Sequence, residues 1–361
     1  MTKQEKILRT ILLILLLSVI IVLAGAYAMF HTQLKAANSI QCLQSGEYPV
    51  YTMDYVGDYG LDEFLAQGGA ASDSELADYL TQYLSHGFVK TALSKQPFAC
   101  STLYSYKSGG LAPGQDGYAY FGRNFDWEDC RIMLVSTKPD KGYASFSTCA
   151  VDFLGFGEDW QPDGGIVDRM LALAAVYVPQ DGMNEKGLCV ADLMAGDNAP
   201  AGQDTDKPDL TTSTAIRLLL DRAATVDEAV ELLKQYDMHH SIGAAHHLSL
   251  ADATGRSAVV EYIDGEMHVT DTTVVTNFYL TPGDKYGVGS EQSHLRYDIL
   301  SATGGVDSSR AMEDALSSVA KSNFAYEGER TQWSIVYDLG RLKSTYYFRE
   351  RFDEPYWVEV P

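Results

Sequence analysis

The distribution of apolar and polar positions divides the chain into three stretches. Ile11 to Phe30 is an uncharged apolar run preceded by Lys3, Lys6 and Arg9. About 20 residues of helix cross a bilayer, so this run predicts a signal peptide or signal anchor over 1–30. Ala26-Tyr27-Ala28 puts small residues at the two positions read by signal peptidase. Cleavage there and an uncleaved anchor both stay open; either leaves the basic flank inside and the body outside. Residues 31–99 read as a mostly helical pro-segment. Leu76, Tyr79, Leu80, Tyr83 and Leu84 recur at helix spacing behind a Ser72/Glu75 capping box. The helical signal fades near Gly87, and Pro97 precedes an extended segment.

From Cys100 the period changes to two. Cys100 to Lys107 and Tyr118 to Phe125 alternate around a Gly/Pro-rich loop, 108–117, which predicts a hairpin with a long loop. Further strands are predicted at 131–137, 143–150, 187–193, 246–252, 257–263, 267–276 and 333–349. Helices are predicted at 213–223, 226–236 and 309–321, the second opened by a Thr225/Glu228 capping box. Many antiparallel strands with a pair of mid-chain helices imply an α+β domain, its sheets covered by helices.

Pairing Tyr106 with Tyr118 in that hairpin places Cys100 opposite Asn124, with Arg123 and Asp126 close by. A slip of one residue would exchange the faces. Arg123 shares a strand face with Ala119, Phe121 and Phe125, where a charge is costly unless paired.

Composition narrows the function classes. A formal charge of −22 excludes nucleic acid as a partner, because nothing would neutralise phosphates. The 23 tyrosines suit pleated, half-buried surfaces. Five cysteines, at 42, 100, 130, 149 and 189, leave one thiol over in an exported protein. Cys130 and Cys149 flank a turn at 138–142 and would face each other, as a disulfide pair, if the strands paired symmetrically.

The odd thiol directs attention to Cys100. A thiol attacks as thiolate, and a neighbouring cation such as Arg123 favours that form. No Cys/His or Ser/His/Asp signature supplies a base. The free α-amine of an N-terminal residue is an alternative base, titrating near about 8. Cys100 would own such an amine only after scission of Ala99–Cys100. His239, His240, His246 and His247 carry no metal-site spacing, and the last two alternate in a strand, so neither metal nor cofactor is expected.

Cys100-Ser101-Thr102, Phe121-Gly122-Arg123-Asn124-Phe125-Asp126-Trp127 and Asp181-Gly182-Met183-Asn184-Glu185-Lys186-Gly187-Leu188 together resemble the choloylglycine hydrolase family. Val275-Thr276-Asn277-Phe278, Arg296 of Ser293-His294-Leu295-Arg296-Tyr297, and Thr331 to Asp338 fit its later motifs. That family includes bile salt hydrolases and penicillin V acylases and is related to acid ceramidase and N-acylethanolamine acid amidase. The resemblance runs over nearly all of 100–361. It implies a four-layer αββα fold and hydrolysis of a linear, non-peptide amide in a small N-acyl substrate. Carried over by position, Cys100 is the nucleophile with its own amine as base, beside Arg123 and Asp126. The backbone N–H of Asn184 and the side chain of Asn277 would form the oxyanion hole, and Arg296 would balance charge. Two features depart from bile salt hydrolases: about a hundred residues precede the cysteine, and the first hairpin loop is long.

Plainer readings stand beside these. Cys100 could be a buried structural thiol, Arg123–Asp126 a structural ion pair, Asn184 with Gly187 a turn, and Asn277 a strand cap. A membrane-tethered, non-catalytic binding module on the same scaffold and an N-acyltransferase are the rival functions. Assembly into a homo-oligomer is left open.

Overall fold

The computed structural model describes residues 2–85, 87, 90–91, 93, 98–109, 117–157, 159–197, 199–324 and 329–361. Pro97 and most of the 108–117 loop lie outside them.

The apolar N-terminal run is helical, as its composition requires, but the helix does not stop at residue 30. It spans Lys3–Ser39. Its first part, Lys3–Gly25, has a mean hydropathy of 3.0 and is exposed, so it is long and apolar enough to cross a membrane. Its far end enters the core, where Ala36, Ala37 and Ile40 are buried. Arg169 Nη1 caps that end by donating to the carbonyls of Ala37 (3.2 Å) and Ile40 (3.0 Å).

The 31–99 stretch holds its predicted helix, Asp73–Ser85, with Ser72 Oγ accepting from the Glu75 N–H and Leu76, Leu80 and Leu84 buried. It also holds two strands that the pattern reading did not separate, Gln41–Gln44 and Val50–Val56. Tyr51, Met53 and Tyr55 point into the core while Asp54 and Val56 face out, the period-2 signature of a half-buried strand.

Both strands join a nine-stranded sheet. Edge to edge it runs Gln41–Gln44, Val50–Val56, Ile132–Lys138, Ser145–Ala150, Asp181–Asn184, Cys189–Met194, His246–Ala251, Ser257–Ile263 and Glu266–Asp271. Val50–Val56 pairs in parallel with Ile132–Lys138 along its whole length. A six-stranded sheet runs Val274–Val275, Ala99–Lys107, Tyr118–Trp127, Arg330–Asp338, Lys343–Phe348 and Tyr356–Glu359. The sheets meet face to face through Thr102–Ser249 (2.9 Å) and Thr148–Tyr346 (2.8 Å) hydroxyl contacts.

Helices cover both outer faces. Thr212–Arg222 and Val226–Leu233 lie on the nine-stranded sheet, with Asn184 Nδ2 donating to the carbonyls of Leu220 and Ala223. Ser309–Ser318 lies on the six-stranded sheet so closely that a Cβ at Gly122 would come within 2.4 Å of Met312 Sδ. The predicted helix-covered α+β arrangement is what forms. Predicted strand 333–349 resolves into the hairpin Arg330–Asp338 and Lys343–Phe348, and 267–276 into Glu266–Asp271 and Val274–Val275.

Two predictions are corrected. Cys100 pairs with Phe125, not Asn124, because Lys107 rather than Tyr106 stands opposite Tyr118. The Cys130–Cys149 disulfide does not form: Cys149 stands opposite Met133, and all five cysteines are free thiols.

Candidate active site

The one-residue register difference decides the chemistry. Directly opposed residues of an antiparallel pair share a face. Cys100 opposite Phe125 therefore places Arg123 on the same face as the thiol, where Asn124 would have put it on the other. Arg123 Nη2 lies 3.1 Å from Cys100 Sγ. Both residues are wholly buried.

Arg123 has the partner that its apolar face demands, and it is Asp181. Arg123 Nη1 donates to Asp181 Oδ2, and Nη2 also donates to the carbonyl of Asp192 at 2.8 Å. Asp181 accepts further from Trp333 Nε1 and the Tyr337 hydroxyl, each at 2.9 Å. The guanidinium sits 5.1 Å from the Phe125 ring, and Phe125 stacks on Trp333 at 4.0 Å. Asp181 was visible only as the first letter of a motif; Asp126, the carboxylate on the same strand, stands an odd number of residues from Arg123 and so on the opposite face, which was the signal that the partner lies elsewhere.

Asn277 and Arg296 converge on the other side of Cys100. The Cys100 N–H donates to Asn277 Oδ1 at 2.8 Å, and Asn277 Nδ2 donates to the Met194 carbonyl at 2.8 Å. Arg296 Nη2 donates to Asn277 Oδ1 (2.8 Å), and Nη1 to the Cys100 carbonyl and Ser101 Oγ (both 2.6 Å). Arg296 comes from the helix Glu291–Ser301, which the pattern reading missed because its apolar residues form no stripe. Asp126 Oδ2 lies 3.4 Å from Arg296 Nη1, and its Oδ1 accepts from Thr331 Oγ1 at 2.7 Å. Asp126 stands opposite Ala99, so it serves the Arg296 side and not the thiol directly.

Asn184 is not brought to this cluster. Its N–H donates to the Leu188 carbonyl at 3.0 Å, and its Oδ1 accepts from the N–H groups of Lys186 and Leu188. With Gly187 in the left-handed region at φ 79°, it builds a tight turn against a helix. The expected oxyanion donor is a turn residue, its N–H already bonded.

Electrostatics hold the thiol neutral. Burial pushes Cys100 up to about 12, outweighing the opposite pull of Arg123, with Asp126 and Asp192 adding to the rise. Arg123 does pull towards the thiolate, as expected of a neighbouring cation, but burial outweighs it. Burial likewise raises Asp126 against the pull of Arg296. A cleft of about 320 Å³ opens beside the cluster, walled by Phe98, Ala99, Met194, Asn277 and Arg296.

The adjacent histidines diverge as strand alternation dictates. His246 Nδ1 meets Asp192 (2.8 Å) and His247 Nδ1 meets Glu261 (3.0 Å). Glu261 also accepts from the Leu280 and Thr281 N–H groups, just beyond Asn277.

Cys100 is thus buried early in a strand, between two facing sheets covered by helices. The fold matches a variant of the conjugated bile acid hydrolase from Clostridium perfringens, with TM-score 0.52 and 16% identity over 73% of this chain and 92% of that one. Residues 111–279 match the family of linear amide C–N hydrolases, choloylglycine hydrolase family. A penicillin V acylase from Pectobacterium atrosepticum is 40% identical over 191 residues, 46% of this chain and 47% of that protein. The match thus spans about half the length of that relative. The resemblance read from the motifs is to the choloylglycine hydrolase family, as these matches show.

Proposed function

We propose that the protein is a hydrolase of linear amides in small N-acyl substrates, working through an acyl-enzyme on Cys100. The observation that carries this reading is the convergence of Arg123, Asn277 and Arg296 on the sulfur, nitrogen and carbonyl oxygen of one residue. A structural thiol needs no such company.

Maturation comes first. Cys100 Sγ attacks the carbonyl carbon of Ala99, the Ala99–Cys100 C–N bond breaks, and a thioester forms as the nitrogen takes up a proton. Water then hydrolyses the thioester, releasing the Ala99 carboxylate and the thiol. Cys100 now bears a free α-amine held by Asn277 Oδ1, able to accept the thiol proton for the next attack. In this reading the second N–H of Asn277 Nδ2, beside the one given to the Met194 carbonyl, stabilises the developing oxyanion; such a donor contributes about 10²–10³ in rate. Arg296 and Asp126 fix Asn277 and the Cys100 backbone. Acylation releases the amine of the substrate, and water releases its acid.

The same reading places the catalytic body outside the cell membrane, held by the Lys3–Ser39 helix if its N-terminal part is kept. Similarity to a penicillin V acylase and a conjugated bile acid hydrolase supports testing their substrates first. The experiment is turnover of penicillin V, bile salt conjugates and N-acyl amino acids by the wild type and Cys100→Ala. Acid release by the wild type alone supports the proposal; acyl transfer to added amines in place of water would make it a transferase.

A further inference from the structure

Asn277 lies on a segment with little regular structure of its own. It follows the short strand Val274–Val275 and precedes Leu280 and Thr281, both buried and in neither helix nor strand. On the near side Thr276 Oγ1 donates to the Ser293 carbonyl at 2.9 Å, and the Phe278 ring stacks on His294 at 4.1 Å. On the far side the hold is one carboxylate. Glu261 Oε1 accepts from the Leu280 N–H at 2.9 Å, and Oε2 from the Thr281 N–H at 2.7 Å.

A buried carboxylate is costly unless its oxygens are matched. Glu261 belongs to Ser257–Ile263 of the nine-stranded sheet and is wholly buried. His247 stands directly opposite on the neighbouring strand, its Nδ1 3.0 Å from Oε1. A carboxylate only accepts, so the imidazole is the donor. Burial works against the charge, yet the bonds from His247, Thr281 and Leu280 outweigh it and hold the carboxyl below its usual range. Glu261 thus ties one sheet to the loop that leaves the other, just beyond Asn277. We propose that Glu261 is a positioning residue, aimed by His247, which fixes Asn277 against Cys100 through the backbone of 278–281. It acts through Asn277 and not on the reacting atoms. Its meaning for turnover rests on the proposed function; the claim about position does not.

Reach and charge can be separated by substitution. Glu261→Gln keeps the length and an oxygen able to accept both N–H groups, with its amide turned to His247. Glu261→Asp keeps the charge but is one methylene short. The glutamine variant should stay within about tenfold of the wild type in kcat, and the aspartate variant should fall about 10²-fold with KM little changed, as a misplacement of about 1 Å produces. Equal effects, or the reverse order, would overturn the proposal. Hydrogen exchange gives a second reading that needs no turnover. In uncut Cys100→Ala protein the backbone N–H at position 100 keeps its acceptor, Asn277 Oδ1. Adding Glu261→Asp should speed exchange at positions 100, 280 and 281 by about tenfold, while strand 246–251 keeps its protection. Unchanged exchange at position 100, or protection lost evenly over the chain, would overturn the proposal. Should Glu261→Asp not fold, Glu261→Gln decides by the same readouts: protection kept at position 100 supports the proposal, and protection lost there contradicts it. A wild type that hydrolyses no amide, with the exchange pattern as expected, would overturn the proposed function instead.

Discussion

Arg123 Nη2 lies 3.1 Å from Cys100 Sγ while the Nη1 of the same guanidinium is held by Asp181. The thiol thus has a cation beside it whose charge is already matched. In the uncut chain this leaves burial dominant and the sulfur protonated.

Removing that match should be severe. Asp181→Asn leaves Arg123 buried without a countercharge, and breaking a fully buried ion pair from one side costs about 3–5 kcal/mol. Urea denaturation should show a loss of that order, with Asp181→Glu recovering part of it.

Asn184 and Asn277 should separate cleanly. Asn184→Ala orphans the buried carbonyls of Leu220 and Ala223, at about 1–3 kcal/mol each, and should lower stability while sparing turnover per folded molecule. Asn277→Ala also strips partners from the Cys100 N–H and the Met194 carbonyl, so it should lower stability too, but unlike Asn184→Ala it should lower kcat per folded molecule by about 10²–10³. Steady-state kinetics beside thermal melts of both variants read this directly.

How much of this was legible in the chain differs by element. The alternation of 100–107 and 118–125 predicted the hairpin, yet tyrosines on both faces left its register undetermined by one residue. Family motifs carried Cys100, Arg123, Asn277 and Arg296, which do meet. The Asn184 motif was equally recognisable, but a motif does not say whether its asparagine faces a substrate or a helix. Asp181 and Trp333 come from other strands, so their meeting with Arg123 depends on sheet order that no local pattern records. The Val50–Val56 strand was legible in Tyr51, Met53 and Tyr55, and was obscured by the helical signal further along the same stretch.

The leader should outlast its own severance. Val50–Val56 is hydrogen-bonded along its length to Ile132–Lys138, and the buried Tyr59 hydroxyl donates to Asp221. After scission, 100–361 and the preceding segment should co-elute natively and separate only in denaturant. Tyr59→Phe should lower the denaturant needed.

Stability should fall at alkaline pH. Cys100, Cys130, Cys149 and Cys189 are all raised above the ordinary 9.0 by burial. The folded chain keeps these protons where the unfolded chain releases them, so the stabilisation is whole below pH 9 and is lost as pH rises beyond it. Denaturation midpoints between pH 8 and about 10, below the range of the buried tyrosines, should decline, and Cys149→Ala should decline less.

The most direct measurement is the N-terminal sequence and intact mass of the body chain from wild type and Cys100→Ala. The account predicts a wild-type chain that begins at Cys100 and a variant still joined to Ala99. A wild type active while uncut at that bond, or a Cys100→Ala variant cut there as efficiently, would contradict it.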